Sequence, residues 1–160
     1  MEVFLYAPEQ FENICVLART LEVFGFRRCY VYDPHRLVRE RYGKSYAQRL
    51  RTVSAGAFQR IEWQRVAGDV PEFLRAYAGR RVATVPLQSA TSLYQFRFQR
   101  SDLLLIGAEG GGLPPDVLRE CQEQVTIPQA GVTESLNLAV ASGIVIAEWR
   151  RQDALGLIAD

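Results

Sequence analysis

Leu103-Leu104-Leu105-Ile106, running directly into Gly107-Ala108-Glu109-Gly110-Gly111-Gly112 and then Leu113-Pro114-Pro115, is the stretch that decides the fold. A short run of large aliphatic residues bounded by turn residues reads as a strand buried on both faces, as in a parallel sheet covered by helices. The glycines end that strand, and a proline is welcome in the first turn of the helix that follows. In an open α/β sheet the carboxyl ends of strands are where ligands bind, and glycines there let backbone come close to a ligand. A tight structural turn is the other reading of the same residues. The glycine order is neither Gly-x-Gly-x-x-Gly nor Gly-Lys-Ser/Thr, so a dinucleotide or phosphate-loop cradle is not expected. Glu109, an acid inside the turn, repels phosphate but suits a cation or a hydroxyl.

Outward from this unit, strand-like runs alternate with helix-length amphipathic segments. The pattern predicts an α/β fold with a mainly parallel sheet flanked by helices. Strands are expected near 2–7, 27–33, 81–86, 102–107 and 123–127, and helices near 11–24, 36–51, 70–78, 114–121 and 134–151; residues 51–64 fit neither pattern well. The chain has 160 residues, 48% of them hydrophobic, and carries no repeat or Pro/Gly-rich linker, so one domain over 1–160 is expected. No apolar stretch is long enough to span a bilayer, and no basic leader precedes the first strand; a cytoplasmic protein without membrane attachment is expected. Cys15, Cys29 and Cys121 are far apart and His35 is the only histidine, so neither a disulfide framework nor a metal site is expected. The lone histidine also speaks against a Ser-His-Asp hydrolase.

Two further segments carry polar groups beside apolar ones. Val125-Thr126-Ile127-Pro128-Gln129 is a strand end, and Gly131-Val132-Thr133-Glu134-Ser135-Leu136-Asn137 leads into an apolar helix. Ser135 and Asn137 then lie near a helix start, where free N–H groups bind ligand atoms, although Thr133 or Ser135 as a plain N-cap reads equally well. On the first helix, Asn13 and Arg19 are six residues apart, which sets them about 240° apart around the axis. Arg19 stands in an apolar window and either snorkels to solvent or meets an anion.

The net charge is only +1, but ten of the nineteen basic residues fall between Arg27 and Arg65, against Asp33, Glu40 and Glu62. Tyr30, Tyr32, Tyr42 and Tyr46 are interleaved with them. Such a stretch offers phosphate contacts beside rings on which a base stacks, or else is an ordinary solvated helix face.

Taken in order, the three segments resemble the three motifs of the SpoU/TrmH family (SPOUT superfamily) of RNA methyltransferases. Asn13 and Arg19 match the first, Gly107, Glu109, Gly112 and Leu113 the second, and Ile127, Pro128, Ser135, Leu136 and Asn137 the third. Ser54-Ala55-Gly56-Ala57 resembles a less specific family element. Cys15 stands where the family has glycine, adding bulk close to the expected RNA site.

The resemblance implies a C-terminal deep trefoil knot and S-adenosyl-L-methionine (AdoMet) as cofactor. It implies a cofactor pocket from Val85, Pro86, Leu87, Ile106, Gly107, Gly112, Ile127, Gln129, Ser135 and Leu136. Catalysis falls to Arg19, with Asn13 and Glu109 orienting it and the ribose while Ser135 and Asn137 shape the site. The implied reaction is methyl transfer to a ribose 2′-hydroxyl of RNA by a homodimer. tRNA comes first, because the chain resembles the minimal wobble-ribose enzymes; ribosomal RNA and a catalytically silent RNA-binding dimer are the alternatives. The stripe Leu138, Val140, Ile144, Ile146 and Trp149 suits either a core or a dimer interface.

Overall fold

A computed structural model describes residues 1–38 and 43–159. Its centre is a sheet of seven strands, all paired in parallel: β1 (Glu2–Tyr6), β2 (Arg28–Tyr32), β3 (Glu62–Arg65), β4 (Arg81–Thr84), β5 (Thr91–Ser92), β6 (Leu103–Ile106) and β7 (Glu123–Thr126), in the order β3-β2-β1-β6-β4-β7-β5. Among the described residues five α-helices accompany it, α1 (Phe11–Val23), α2 (Gly43–Val53), α3 (Val70–Ala76), α4 (Pro115–Arg119) and α5 (Leu138–Ala154), with a 3-10 turn at Phe58–Arg60.

Side-chain alternation along each strand builds two cores. Val3 and Leu5 of β1 and Leu104 and Ile106 of β6 join Ile14, Leu17 and Leu21 of α1, Leu50 of α2 and Val145, Ile146 and Trp149 of α5 on one face. Phe4, Leu103 and Leu105 point the other way, toward Val70 and Leu74 of α3 and Val117 of α4. The four residues of β6 are all buried, as a run of unbroken aliphatics requires of a central strand.

The polar joints sit at the ends of elements. Asp102, fully buried ahead of β6, accepts two hydrogen bonds from Arg80, Nε to Oδ1 at 2.7 Å and Nη2 to Oδ2 at 2.9 Å, and one from the backbone N–H of Gln99. Gln152 ties α5 to the segment before β6: its amide donates to the Phe96 carbonyl at 2.8 Å and accepts from the Phe98 N–H at 3.1 Å.

Several boundaries differ from expectation for identifiable reasons. Residues 36–38 lie outside the helix expected over 36–51, because the Asp33 carboxylate accepts the N–H groups of Leu37 and Val38, each at 2.8 Å, and folds 33–38 into a turn; residues 39–42 lie outside the described residues, and α2 spans Gly43–Val53. The helix expected from 134 begins at Leu138, where Asn137 is the N-cap. Strand β3 is mostly polar and lies at the sheet edge, so it has no apolar signature, and β5 is two residues long. Tyr30 packs on Phe73 and Tyr77, Tyr32 on Tyr6, and Tyr46 on Phe11. Tyr30, Tyr32 and Tyr46 are therefore part of the packing, in place of the open stacking row that their spacing suggested; Tyr42 lies outside the described residues. No helix among the described residues is long and apolar enough to cross a membrane.

Candidate active site

The three segments singled out in the sequence meet at the carboxyl edge of the sheet. Their contact is a chain of hydrogen bonds whose direction follows from the donor inventory. Glu109 offers only acceptors: Oε1 takes Asn13 Nδ2 at 2.8 Å and the Gln10 N–H at 3.2 Å, while Oε2 takes the Glu9 N–H at 2.9 Å. Asn13 must therefore present Nδ2 to the carboxylate, which leaves its Oδ1 to accept from Asn137 Nδ2 at 2.9 Å. Asn137 in turn has only Oδ1 left, and that oxygen caps α5 by accepting the N–H groups of Ala139 at 2.9 Å and Val140 at 3.3 Å.

This network explains why α1 starts where it does. Gln10, its N-cap residue, makes no capping hydrogen bond with its own side chain; Glu109, about a hundred residues later, supplies the acceptors and places negative charge at the helix N-terminus. Three motifs thus lock the second loop, the start of α1 and the start of α5 to one another. Asn13, with 5% of its surface exposed, is a joint in this lock.

Beside the network lies a cavity of about 380 Å³, within the range of small-molecule sites. All ten residues expected at the cofactor, Val85, Pro86, Leu87, Ile106, Gly107, Gly112, Ile127, Gln129, Ser135 and Leu136, line it, together with Glu109. Its walls are the carboxyl ends of β4, β6 and β7 and the first turn of α5. Thr84, Leu138 and Ala141 also line it and were not anticipated. Leu138 and Ala141 are three apart on α5 and so share a helix face, a spacing visible in the sequence once the helix start is known. Thr84 spends its hydroxyl on the Leu105 carbonyl at 2.7 Å, bridging two of the strands that form the wall.

The glycines act mainly on the loop itself. A Cβ on Gly107 would stand 2.4 Å from the Gly112 carbonyl carbon, and Gly112 has φ +64°. Ala108 and Gly112 exchange backbone hydrogen bonds at 3.1 and 2.9 Å, closing a tight hairpin that needs glycine at both places. Gly107 is thus demanded by the neighbouring backbone, and Ile106 and Leu113 come to the cavity as a consequence.

Arg19 is set apart. It is exposed on α1 and, among the described residues, makes no hydrogen bond or ion pair with Asn13 or Glu109. Its neighbours on that face are Val16 and Val23, 45% and 75% exposed. Ser135 lines the cavity but lies in the loop ahead of α5, so it is not the helix cap. Cys15 corrects an expectation: it is fully buried in the core, and burial pushes its thiol up to about 11, so its side chain does not project into a surface site. The stripe on α5 divides, with Leu138, Ile146 and Trp149 buried but Val140 and Ile144 exposed at 51% and 36%.

A seven-stranded parallel sheet with an apolar, acid-bearing cavity at its carboxyl edge defines a small-molecule-binding α/β protein. More particularly, the chain belongs to the SpoU rRNA Methylase family, whose model matches residues 1–147. Curated relatives include uncharacterised tRNA/rRNA methyltransferases of Mycobacterium marinum, 33% identical over 142 residues, and of Synechocystis, 46% identical over 71 residues. The match covers 88% of this chain but 43% of the mycobacterial protein, and 44% of this chain but 26% of the cyanobacterial one, so the chain spans less than half the length of either. A solved structure described by the 2-OH methylation of C/U34 on tRNA is 30% identical, with 96% of this chain and 95% of that chain covered at a TM-score of 0.80. An AdoMet-bound rRNA methyltransferase of Sinorhizobium meliloti is 27% identical, with 94% and 56% covered and a TM-score of 0.78.

Proposed function

We propose that this chain transfers a methyl group from AdoMet to a ribose 2′-hydroxyl of RNA, with tRNA as the substrate. The observation that carries the reading is the convergence of Val85–Leu87, Ile106–Leu113 and Ile127–Leu136 on one cavity with a carboxylate in its wall. The residues present fit the cofactor: Val85, Leu87, Ile106, Ile127 and Leu136 offer apolar walls to an adenine, and the negative charge of Glu109 favours a sulfonium. When bound, AdoMet supplies a methyl carbon already activated by the positive sulfur. The chain must then activate a weak nucleophile, and Arg19 is the residue for it, a fixed cation that stabilises charge developing on the ribose oxygen. Ribosomal RNA is the second reading, favoured by the Sinorhizobium likeness; the tRNA-acting structure matches this chain along nearly the whole of both.

Arg19 lies about 9 Å along α1 from Asn13, at 1.5 Å rise per residue, and faces outward. The reading therefore includes a homodimer in which Arg19 serves the cavity of the second copy. Val16 on α1 and Val140 and Ile144 on α5 are exposed on two helices in mutual contact, close enough that a Cβ added at Gly143 would stand 4.0 Å from the Thr20 methyl, and a second copy would cover them. A C-terminal knot belongs to the same reading.

The test is methyl transfer from radiolabelled AdoMet to unmodified tRNA and to unmodified ribosomal RNA, followed by digestion to nucleosides. Label is expected as 2′-O-methylnucleoside from tRNA, and Arg19→Ala is expected to lower the rate by about 100-fold or more. No transfer to either RNA, or an Arg19→Ala variant as fast as the parent, would sink the proposal.

A further inference from the structure

The turn at Asp33–Val38 is built with more care than a connecting loop requires. Asp33, 7% exposed, uses one carboxylate oxygen for the Leu37 N–H and the other for the Val38 N–H, and its Oδ2 also meets Arg65 Nη2 at 3.4 Å. Its carbonyl accepts the Arg36 N–H at 3.2 Å, and the Tyr46 hydroxyl of α2 donates to the Leu37 carbonyl at 2.7 Å. This scaffold holds Arg36 at φ +60°, a left-handed conformation unusual for a residue with a side chain. His35 and Arg36 are exposed at its tip, and neither has an ion-pair partner among the described residues. A strained backbone that its surroundings over-determine points to a use.

The place of the turn says which use. It follows the carboxyl end of β2, on the same edge of the sheet as the cavity, and only β1 separates β2 from β6. Two strand spacings are about 10 Å. Ala7, at the end of β1, donates to the Tyr32 carbonyl at 2.8 Å, and Glu9 and Gln10 just beyond it donate to Glu109. The turn is thus continuous, through the β1 end, with the cavity wall. The acids that line the cavity, Glu109 and Glu134, disfavour phosphate; the cationic tip lies on the far side of β1. Of the described cations in the same sequence run, Arg27 and Arg28 stand at the start of β2, on the opposite edge, and Arg49 pairs with Glu12 at 2.8 Å.

We propose that the tip of this turn, Arg36 with His35, is a preorganised docking point for the phosphate backbone of the substrate RNA beside the nucleotide presented to the cavity. The proposal rests on the reading of this chain as an RNA methyltransferase. Arg36 gives a charge-assisted hydrogen bond to a phosphate oxygen, and Asp33, Arg65 and Tyr46 are positioning residues that hold it in reach.

The test is equilibrium binding of unmodified tRNA across a salt series, with AdoMet affinity measured in parallel by calorimetry, for the full chain and for Arg36→Ala, Arg36→Gly and Arg51→Ala. Arg51 is exposed on α2, outside the turn, and serves as the control. Arg36→Ala and Arg36→Gly are expected to weaken tRNA binding about five- to tenfold at low salt and to reduce the slope of log K against log salt by about 0.7, the value for one contact to a single strand. AdoMet affinity stays unchanged. Arg36→Gly separates docking from folding, because glycine adopts positive φ without strain: its unfolding midpoint is equal to or above the parent's while its RNA affinity falls. A parent chain that binds and methylates tRNA, with both Arg36 variants keeping its affinity and salt slope, overturns the docking point alone. A parent chain that binds AdoMet but no RNA overturns the RNA reading and the docking point with it.

Discussion

Glu109 shows how one side chain can serve a fold and a site at once. Its carboxylate accepts three donors from the start of α1 while it forms part of the cavity wall. Glu109→Gln replaces an acceptor oxygen by an amide that faces N–H groups, leaving at least one donor unmatched. The expected loss is about 1–3 kcal/mol of stability, read as a lower urea midpoint at unchanged slope. Asn13→Asp sets a second carboxylate against Glu109, where the amide nitrogen now lies at 2.8 Å. That variant is expected to be the less stable of the two at neutral pH and to recover on acidification, as either carboxylate takes a proton. Equal midpoints for both variants and the parent would show that the network contributes nothing. The motif residues themselves were legible in the sequence, since order and spacing brought Asn13, Glu109 and Asn137 forward. Their division of labour was not, because a cap supplied from a hundred residues away leaves no local trace. The same holds for Gly107, whose necessity comes from Gly112 backbone folding back upon it.

Among the elements, those with strong apolar periodicity were readable and those fixed by a single side chain were not. Strands β1, β2, β4, β6 and β7 lie within the expected ranges, because their burial is written in their residues. The start of α5 moved by several residues, since Asn137 decides it, and Asp33 keeps 33–38 in a turn where a helix was expected from 36, each through hydrogen bonds to backbone. Strand β3 went unseen because an edge strand of Glu62, Trp63, Gln64 and Arg65 has little to bury. Another joint of this kind governs the entry to β6. Arg80, with 19% of its side chain exposed, makes the paired contact to Asp102, whose side chain is wholly buried. Arg80→Ala leaves that charge without its partner inside the protein, and the expected cost is about 3–5 kcal/mol. The unfolding midpoint measures it; a cost below about 1 kcal/mol would mean that Asp102 finds solvent or another donor.

At the scale of the whole molecule, the cavity and the cation proposed to act in it belong to different faces of the chain. The ten residues expected at the cofactor come together within one copy, whereas Arg19 sits among exposed Val16 and Val23 on the outer side of α1. If a second copy brings its own Arg19 to the site, two inactive variants complement one another. Arg19→Ala keeps an intact cavity and lacks the cation; Ala141→Phe keeps the cation and fills the cavity with a ring from the first turns of α5. Each alone is expected to be inactive. Mixed in equal amounts and allowed to exchange, half of the two-fold dimers pair one of each, and one of the two sites in such a dimer is whole, so about a quarter of the parent activity per site returns. Activity that stays absent in the exchanged mixture, with mixed dimers demonstrated by mass spectrometry, would place Arg19 and the cavity in the same copy. Ile144→Lys tests the surface independently, since a charge on the exposed face shared by α1 and α5 is expected to give a monomer in light scattering that still binds AdoMet. A monomer that kept full activity would remove the need for the partner altogether.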